Sequence, residues 1–258
     1  MPSVKIVVPS MSRAKTITTH RMLRECLVCI PESQVEEYAQ TLPRSSLLPH
    51  PDSVRGLAPK LNWIYQAMRD EPAFMVMDDD VLYMARCFTN LGEKAKVEDP
   101  DLVHEIIDGT ARMAADCGCF LFGFAPNQTG IRFYTGLKPF ALSGFVLGAT
   151  QGFLRGHNLR NDERLVGKMD YDLSALNAYR HRRCFRNDRY CLMFGETFTS
   201  PGGQAGQRNS ETEERDLQIL TRKWGLVENG GVLKVNSTRG LRKADYAGIT
   251  KVTLHVPW

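Results

Sequence analysis

The chain has 258 residues, of which 43% are hydrophobic and 24% charged, and its formal net charge is +4. These values are typical of a globular protein and exclude an intrinsically disordered chain, while 21 glycines and 13 prolines exclude collagen-like and low-complexity classes. No apolar run approaches the roughly 18 residues that a membrane span requires, and residues 1–5 lack the features of a signal peptide. We therefore expect a soluble protein of the cytoplasm with no membrane partner.

The first third of the chain alternates between strand-like and helix-like segments. Apolar and β-branched runs predict strands at about residues 4–8, 26–30, 46–48 and 74–77. Capping residues and helical spacing predict helices at about residues 18–22, 34–40 and 56–68. This alternation with short connections indicates a doubly wound α/β layer, in which ligands bind beyond the carboxyl ends of the strands. Residues 9–14 and 78–80 are therefore candidate binding segments.

The rest of the chain is less regular. Helices are predicted at about residues 101–115, 172–179 and 211–224, and strands at about residues 120–124 and 140–147. Residues 199–207 are small and polar, which is typical of either a tolerated surface insertion or a lid that orders over a ligand. No internal repeat or linker interrupts the sequence, which predicts one domain with two lobes.

The seven cysteines form two short motifs, a CxxC at Cys26 and Cys29 and a CxC at Cys117 and Cys119. An odd count without a secretory signal favours reduced thiols. A zinc site would need paired motifs in suitable loops, whereas Cys26 and Cys29 belong to a predicted buried strand. Free thiols packed in the core are therefore the favoured interpretation.

Three adjacent carboxylates, Asp78, Asp79 and Asp80, follow the last apolar strand of the α/β series. Their mutual repulsion is relieved by a divalent cation, and Mn²⁺ or Mg²⁺ prefers oxygen ligands. Because alternate side chains of an extended backbone share a face, we expect Asp78 and Asp80 to point into one site and Asp79 to turn toward a backbone donor. Such a cation would hold a nucleotide diphosphate. The alternative is a solvated acidic turn.

The loop after the first strand, Pro9-Ser10-Met11-Ser12-Arg13, offers hydroxyls, backbone N–H groups and a guanidinium, which suit a nucleotide base or diphosphate. It matches neither the G-x-G-x-x-G pattern nor the P-loop pattern, which disfavours dinucleotide-binding and P-loop folds. Asp170 and Asp172 stand at the start of the helix predicted at about residues 172–179. One of them is a candidate general base on an acceptor hydroxyl, and the other is a candidate helix cap.

Five arginines lie within ten residues, against one acid, Asp188: Arg180, Arg182, Arg183, Arg186 and Arg189. Such a cluster suits contacts to nucleic-acid phosphates, whose affinity depends on salt. The alternative is a solvated helix end whose arginines pair with nearby acids.

Several of these segments together resemble a known family. They are Ile-Val-Val-Pro-Ser at residues 6–10 with Arg13, residues 29–33, residues 56–63, and Met-Asp-Asp-Asp-Val at residues 77–81. Over about residues 4–95 the chain resembles the nucleotide-sugar half of a GT-A glycosyltransferase, and is most similar to the TET/JBP-associated glycosyltransferases, a largely phage-encoded group associated with modified pyrimidines in DNA. The resemblance implies an α/β fold with a GT-A type, Rossmann-like sheet and helices on both faces. It divides a single domain into a nucleotide-sugar half, residues 1–95, and an acceptor half, residues 96–258.

The resemblance also implies roles for individual residues. Pro9, Ser10 and Arg13 would contact the nucleotide, Asp78 would lie near the ribose or metal, and Asp80 would ligate Mn²⁺ or Mg²⁺. Asp170 or Asp172 would be the base of an inverting enzyme, and His255 would be a further metal ligand or else a strand residue. The family commonly has Arg-Asn before the tryptophan of the third helix. This chain has Leu-Asn-Trp at residues 61–63, so Asn62 is retained and Lys60 is the candidate for the missing charge.

The predicted function is metal-dependent transfer of a sugar from a nucleotide-diphosphate sugar, a UDP-sugar, to the hydroxyl of a 5-hydroxymethyl or 5-hydroxy pyrimidine in phage DNA. A glycosyltransferase acting on a polysaccharide or protein is the main alternative. A sugar-phosphate nucleotidylyltransferase is disfavoured because the first loop lacks a glycine-rich pattern with Arg and Lys. A nonenzymatic DNA-binding protein is also disfavoured, because the acidic triplet would have no role in it.

Overall fold

A computed structural model describes residues 3–89, 95–126, 134–194, 209–236 and 251–254. The polar segment at residues 199–207 and the candidate metal ligand His255 lie outside the described residues. Among the residues that are described, no helix has both the length and the hydropathy needed to cross a membrane.

The strands and helices are numbered in chain order. The strands are β1 (Lys5–Pro9), β2 (Leu27–Pro31), β3 (Leu47–His50), β4 (Ala73–Met77), β5 (Val81–Arg86), β6 (Lys96–Val97), β7 (Leu121–Ala125), β8 (Phe140–Ala141), β9 (Thr150–Leu154), β10 (Phe185–Phe194), β11 (Leu233–Asn236) and β12 (Lys251–Leu254). The α-helices are α1 (Val35–Tyr38), α2 (Leu57–Ala67), α3 (Pro100–Asp116), α4 (Met169–His181) and α5 (Ser210–Trp224). Single 3₁₀ turns cover Thr19–Met22, Glu32–Gln34, Arg44–Ser46 and Val227–Asn229.

One mixed sheet organises the chain, with the strand order β3-β2-β1-β4-β9-β7-β10-β5-β6 and with β8 paired to β10. Strands β1 to β4 are mutually parallel where they pair, and β10 runs parallel to β7. Strand β9 lies between β4 and β7 and is antiparallel to both, so β4 and β7 share one direction. The carboxyl ends of β1, β4 and β7 therefore lie at one edge of the sheet, and those of β9 at the other.

Both faces of the sheet are covered by helices. On β1, Ile6 and Val8 pack into a core that also contains residues of α1 and α3, while Val7 packs into a second core with residues of α2, α4 and α5. This alternation follows from the two-residue period of a strand whose two faces are both buried. The predicted α/β class with helices on both faces is confirmed.

The sequence-based prediction is wrong in parts of the second half. The expected strand at residues 140–147 is reduced to β8, Phe140–Ala141, because Gly144 has φ +100°, a left-handed conformation that ends an extended run. Strands β5 and β9 and the long β10 were not predicted, and the arginine-rich segment is partly β10 rather than a helix end. The cysteines are free thiols, and Cys29 and Cys119 are buried in the core as predicted.

Candidate active site

Two of the predicted candidate segments meet at the same edge of the sheet. Strands β1 and β4 pair in parallel with Ile6 opposite Met75 and Val7 opposite Val76, so Pro9 and Ser10 end beside Asp78 and Asp79. Pro9 also pairs with Cys29 of β2. The site that the sequence indicates thus lies where three parallel strands end.

Asp79 is the buried member of the acidic triplet. One of its oxygens accepts a hydrogen bond from the Ser10 hydroxyl at 2.6 Å, and the other is 2.7 Å from the Arg13 guanidinium. Its side chain is only 7% exposed, and a carboxylate is stable there because it is paired and hydrogen-bonded. The expectation that Asp79 faces a backbone donor is wrong, since its partners are side chains of the first loop.

Two further side chains, Tyr38 and Lys60, hold the first loop in place. The Tyr38 hydroxyl lies 2.7 Å from Ser10 Oγ and accepts a hydrogen bond from the Arg13 backbone N–H at 3.0 Å. Lys60 is buried, and its Nζ donates to the Ser10 carbonyl at 2.7 Å. Burial lowers the pKa of Lys60, and the nearby Cys29 and Asp79 act in the opposite direction. These contacts fix the loop before any ligand binds.

The backbone of the triplet is also anchored. Thr19 Oγ1 donates to the Asp78 carbonyl at 2.5 Å and accepts from the Val81 N–H at 3.0 Å. On the other side, the Asp78 N–H donates to the Ala149 carbonyl at 3.1 Å. Thr18 precedes the 3₁₀ turn Thr19–Met22 but makes no side-chain cap to it, because its hydroxyl instead donates to the Val81 carbonyl at 3.0 Å. The triplet is therefore positioned through its main chain.

A cavity of about 290 Å³ opens at this edge. Its wall combines three carboxylates with polar and apolar groups: Asp78, Asp80, Asp170, Gln151, Asn161, Leu57, Leu61, Leu147, Gly148, Ala149, Gly167, Met169 and Phe194. Burial, followed by the charges of Asp80, Asp79 and Asp170, raises the pKa of Asp78 to about 7. Burial and Asp79 also raise the pKa of Asp80. The cavity thus concentrates negative charge at one end.

The carboxylates have the oxygen donors that a divalent cation prefers, but the described residues do not supply a complete set of ligands for one. Among the described residues, no group of three or more His, Cys, Asp or Glu side chains is arranged to hold a metal ion. Asp78 and Asp80 nevertheless offer hard oxygen donors in the same cavity. Burial first, and the neighbouring negative charges second, raise their pKa values, and a bound cation would favour the ionised form of both carboxylates. Mg²⁺ and Mn²⁺ are commonly held by one or two carboxylates plus substrate phosphates and water.

The structure separates the two candidate bases. Asp170 lines the cavity, and its Oδ2 is 3.4 Å from the Gly148 N–H. Asp172 is fully buried away from the cavity, where it accepts hydrogen bonds from Lys223 Nζ at 2.8 Å and Trp224 Nε1 at 2.7 Å. Neither aspartate caps the helix, because Lys168 occupies the N-cap position and α4 begins three residues earlier than predicted. The geometry therefore favours Asp170 for chemistry and gives Asp172 a structural role.

Asn62 acts on the wall of the cavity from outside it. Its side chain accepts from the Asn161 N–H at 2.8 Å and donates to the Asn161 carbonyl at 3.1 Å. Asn161, in turn, donates from Nδ2 to the Tyr65 hydroxyl at 3.1 Å. Asn62 thus fixes the backbone of a cavity residue that lies 99 positions away in sequence.

The five arginines do not form one surface at the cavity. Arg180, Arg182 and Arg183 are exposed at the end of α4, where Arg180 contacts the Asn158 carbonyl and Arg183 donates to the Cys117 carbonyl. Residues 117 and 158 adjoin the start of β7 and the end of β9, so this is the sheet edge opposite the cavity. The placement follows from the direction of β10, whose far end, Phe194, reaches the cavity.

The remaining two arginines lie within β10. Arg186 is paired with Asp188 at 2.6 and 2.9 Å and donates to the Phe145 carbonyl, as the alternative of pairing with nearby acids predicts. Arg189 lies over the ring of Phe88, with its guanidinium carbon 4.9 Å from the ring centroid.

Comparison with known proteins gives a family. The family model described as TET-Associated Glycosyltransferase matches residues 4–203. The chain belongs to this family. By family it is a glycosyltransferase, and the resemblance drawn from residues 4–95 is confirmed. The match includes every strand end at the cavity as well as Asp78, Asp80 and Asp170, and it ends before α5.

Solved structures give weaker similarity. A mannosyltransferase from Pyrobaculum calidifontis in complex with GDP-Man and Mn²⁺ is 16% identical, with a TM-score of 0.46, over 71% of this chain and 54% of that one. The chain therefore spans about half the length of that protein. A CMP:2-keto-3-deoxy-manno-octonic acid synthetase in complex with CTP is 11% identical, with a TM-score of 0.44, over 86% of this chain and 100% of that one. A search of curated proteins gives no match.

Proposed function

We propose that this protein transfers a sugar from a nucleotide-diphosphate sugar, a UDP-sugar, to the hydroxyl of a 5-hydroxymethyl or 5-hydroxy pyrimidine in phage DNA. The observation that carries the proposal is the meeting of Asp78, Asp80 and Asp170 in one cavity at the strand ends, in a chain of the TET-associated glycosyltransferase family. Enzymes of this fold class bind ligands at that edge. Three carboxylates around one cavity supply both cation ligands and a proton acceptor.

Asp78 and Asp80 are the residues that would hold Mn²⁺ or Mg²⁺. When bound, such a cation supplies charge stabilisation for the diphosphate leaving group. Removing the negative charge of either aspartate therefore weakens the binding of both the cation and the donor. His255, outside the described residues, stays a candidate further ligand.

Asp170 is proposed as the general base. In a single displacement, the acceptor hydroxyl gives its proton to the Asp170 carboxylate while its oxygen forms a bond to the anomeric carbon. The bond between that carbon and the diphosphate oxygen breaks at the same time, so the configuration at the anomeric carbon inverts. The Gly148 N–H and the start of α4 hold Asp170 at the cavity, and positioning of this kind favours proton transfer.

The first loop is proposed to bind the nucleotide. Pro9 and Ser10 stand at the end of β1, and Arg13 and Lys60 bring two positive charges to the same loop. Because Arg13 is paired with Asp79 and Lys60 is hydrogen-bonded to Ser10, their part in donor binding is mainly to hold the loop in shape. Asn62 acts similarly through Asn161.

Transfer assays with defined DNA test the proposal. The protein is incubated with Mn²⁺, a panel of nucleotide sugars, and DNA that carries 5-hydroxymethylcytosine, 5-hydroxymethyluracil or unmodified cytosine. The DNA is then digested to nucleosides, whose masses are measured by mass spectrometry. We expect one hexose or pentose mass on a hydroxylated base only, and loss of that product with EDTA. A mass gain on free glycans or peptides but on no DNA would replace the DNA acceptor with a polysaccharide or protein.

Variants separate the roles of the carboxylates. Asp80→Asn should abolish Mn²⁺-dependent binding of UDP, and Asp170→Asn should lower kcat about 100- to 10,000-fold with UDP binding unchanged. Asp70→Asn is a matched control, because Asp70 is 92% exposed and lies outside the cavity. Full transfer activity of Asp80→Asn would contradict the metal assignment.

A further inference from the structure

Helix α5 begins after the part of the chain that the family model matches, yet it contacts the cavity wall. The contact is made by Asp216, whose side chain is fully buried. Its carboxylate accepts hydrogen bonds from the backbone N–H groups of Val166 at 2.9 Å, Gly167 at 2.6 Å and Lys168 at 3.2 Å. A buried carboxylate is costly unless its oxygens are satisfied, so these amides and Asp216 hold one another in place.

A buried ion pair on the same helix strengthens this contact. Glu213 lies one turn before Asp216, and its carboxylate is 2.6 Å from Lys168 Nζ, with side-chain exposures of 8% and 6%. Lys168 is also the N-cap residue of α4. Separating such a pair leaves an uncompensated buried charge, so α5 resists displacement from the start of α4.

The backbone that Asp216 holds lies close in sequence to the candidate base, Asp170. Gly167 and Asp170 both line the cavity, and only Lys168 and Met169 lie between them. On its other side Asp170 meets Gly148, where an added Cβ would come within 3.1 Å of Asp170 Cβ. Asp170 is therefore held between Gly148 and the segment 166–168, which we call the clamped segment.

We propose that Asp216 is a positioning residue that sets the place of Asp170 in the cavity through the clamped segment. The inference rests on the proposed role of Asp170 as the base. It assigns to α5, which lies beyond the matched residues 4–203, a part in the acceptor side of the site. The donor side is built from β1, β4 and the first loop, and the hydrogen bonds that hold it join Ser10, Arg13 and Lys60 to partners other than Asp216 within the described part of the chain. The donor side should therefore be independent of Asp216.

The test compares Asp216→Asn with a control on the same helix. Leu220 is fully buried on α5, and Leu220→Ala destabilises the helix by leaving a cavity while keeping Asp216. Each variant is measured for its melting temperature, for UDP binding with Mn²⁺, and for kcat and KM with UDP-glucose and 5-hydroxymethylcytosine DNA, or with the pair that gives product in the transfer panel. Amide hydrogen exchange of the clamped segment is followed in parallel.

For Asp216→Asn we expect faster exchange at residues 166–168 and a decrease in kcat of about 10- to 100-fold, as small misplacements of a reacting group produce, with UDP affinity unchanged. Leu220→Ala should melt at a lower temperature but keep its kcat. Should Asp216→Asn fail to fold, Asp216→Glu keeps the charge, displaces it by one methylene and gives the same measurement. An unchanged kcat in a folded Asp216 variant, or an equal loss in Leu220→Ala, overturns the inference.

A double-mutant cycle distinguishes failure of the inference from failure of the proposed function. If Asp216 acts through Asp170, Asp216→Asn causes no further decrease in kcat once Asp170→Asn is present. Additive losses show that Asp216 acts elsewhere and overturn the inference alone. Full activity of Asp170→Asn removes the base assignment and with it the inference.

Discussion

The Asp170 carboxylate lies directly against the backbone of Gly148, with Oδ2 3.4 Å from the glycine N–H. A Cβ at position 148 would stand 3.1 Å from Asp170 Cβ, closer than ordinary packing allows. Gly148→Ala should therefore displace Asp170 and lower kcat about 10- to 100-fold. Binding of UDP with Mn²⁺ should be affected less than kcat, because Asp78 and Asp80 follow β4 and meet this segment through the hydrogen bond from the Asp78 N–H to the Ala149 carbonyl.

Gly136→Ala is the matched control for this substitution. Nothing lies within 4 Å of a Cβ at position 136, and that glycine has an ordinary φ. The control should keep both kcat and UDP affinity. Equal kcat values for the two alanine variants would show that the place of Asp170 does not matter to the reaction.

The site residues that sequence analysis identifies are those with a local signal. An apolar strand followed by three aspartates marks the β4 end without any knowledge of the fold, because the pattern lies within eight residues. Gly148 carries no such signal. Its importance arises from its contact with Asp170, 22 positions away, and a short sequence pattern does not reveal which distant segments come together.

The sheet shows the same division. Strands β1 to β4 were predicted because they alternate with helices, whereas β9, Thr150–Leu154, contains Gly152 and follows a bend-rich segment. Position 152 requires glycine because a Cβ there would come within 2.2 Å of the Phe122 ring. Asp172 is the opposite case, a residue whose local sequence pattern indicates a general base but whose contacts are structural. Lys223 and Trp224 each donate to one of its two carboxylate oxygens.

The Arg13–Asp79 pair should contribute to stability as well as to loop shape. Arg13→Met leaves Asp79 buried without its cation, which we expect to lower the free energy of unfolding by about 3 kcal/mol. Arg44→Met is the control, because the Arg44–Glu36 pair is exposed, at 61% and 79%, and such pairs are worth at most about 1 kcal/mol. Urea denaturation of both variants measures the difference, and similar losses would contradict the assigned burial of Asp79.

His157, which is not part of the cavity wall, should make the free energy of unfolding depend on pH. Its ring is surrounded by Phe153, Phe74 and Tyr65, and its Nδ1 accepts from the Leu159 N–H at 3.1 Å. Burial, followed by the charge of His181, lowers the pKa of His157 to about 4. Between about pH 4 and 6.5 the unfolded chain therefore binds a proton that the folded chain does not.

The free energy of unfolding should accordingly fall as the pH is lowered from 7 toward 4, by about 3 kcal/mol from this group. His157→Asn keeps an acceptor for the Leu159 N–H but does not titrate. Urea unfolding at several pH values should thus show a flatter pH dependence for the variant than for the wild-type protein. Parallel curves for the two proteins would mean that His157 does not supply the difference.

The exposed arginines at the end of α4 should contact DNA only when it extends beyond the acceptor base. They lie at the edge of the sheet opposite the cavity, and the five residues of β4 alone span about 17 Å, or about five base pairs at 3.4 Å each. The double variant Arg182→Ala with Arg183→Ala should bind a short hydroxymethylated duplex as the wild-type protein does. On a duplex of about 20 base pairs it should bind more weakly, with the salt slope reduced by about 2. Anisotropy titrations at several salt concentrations measure both quantities, and wild-type affinity on the long duplex would remove these arginines from the DNA contact.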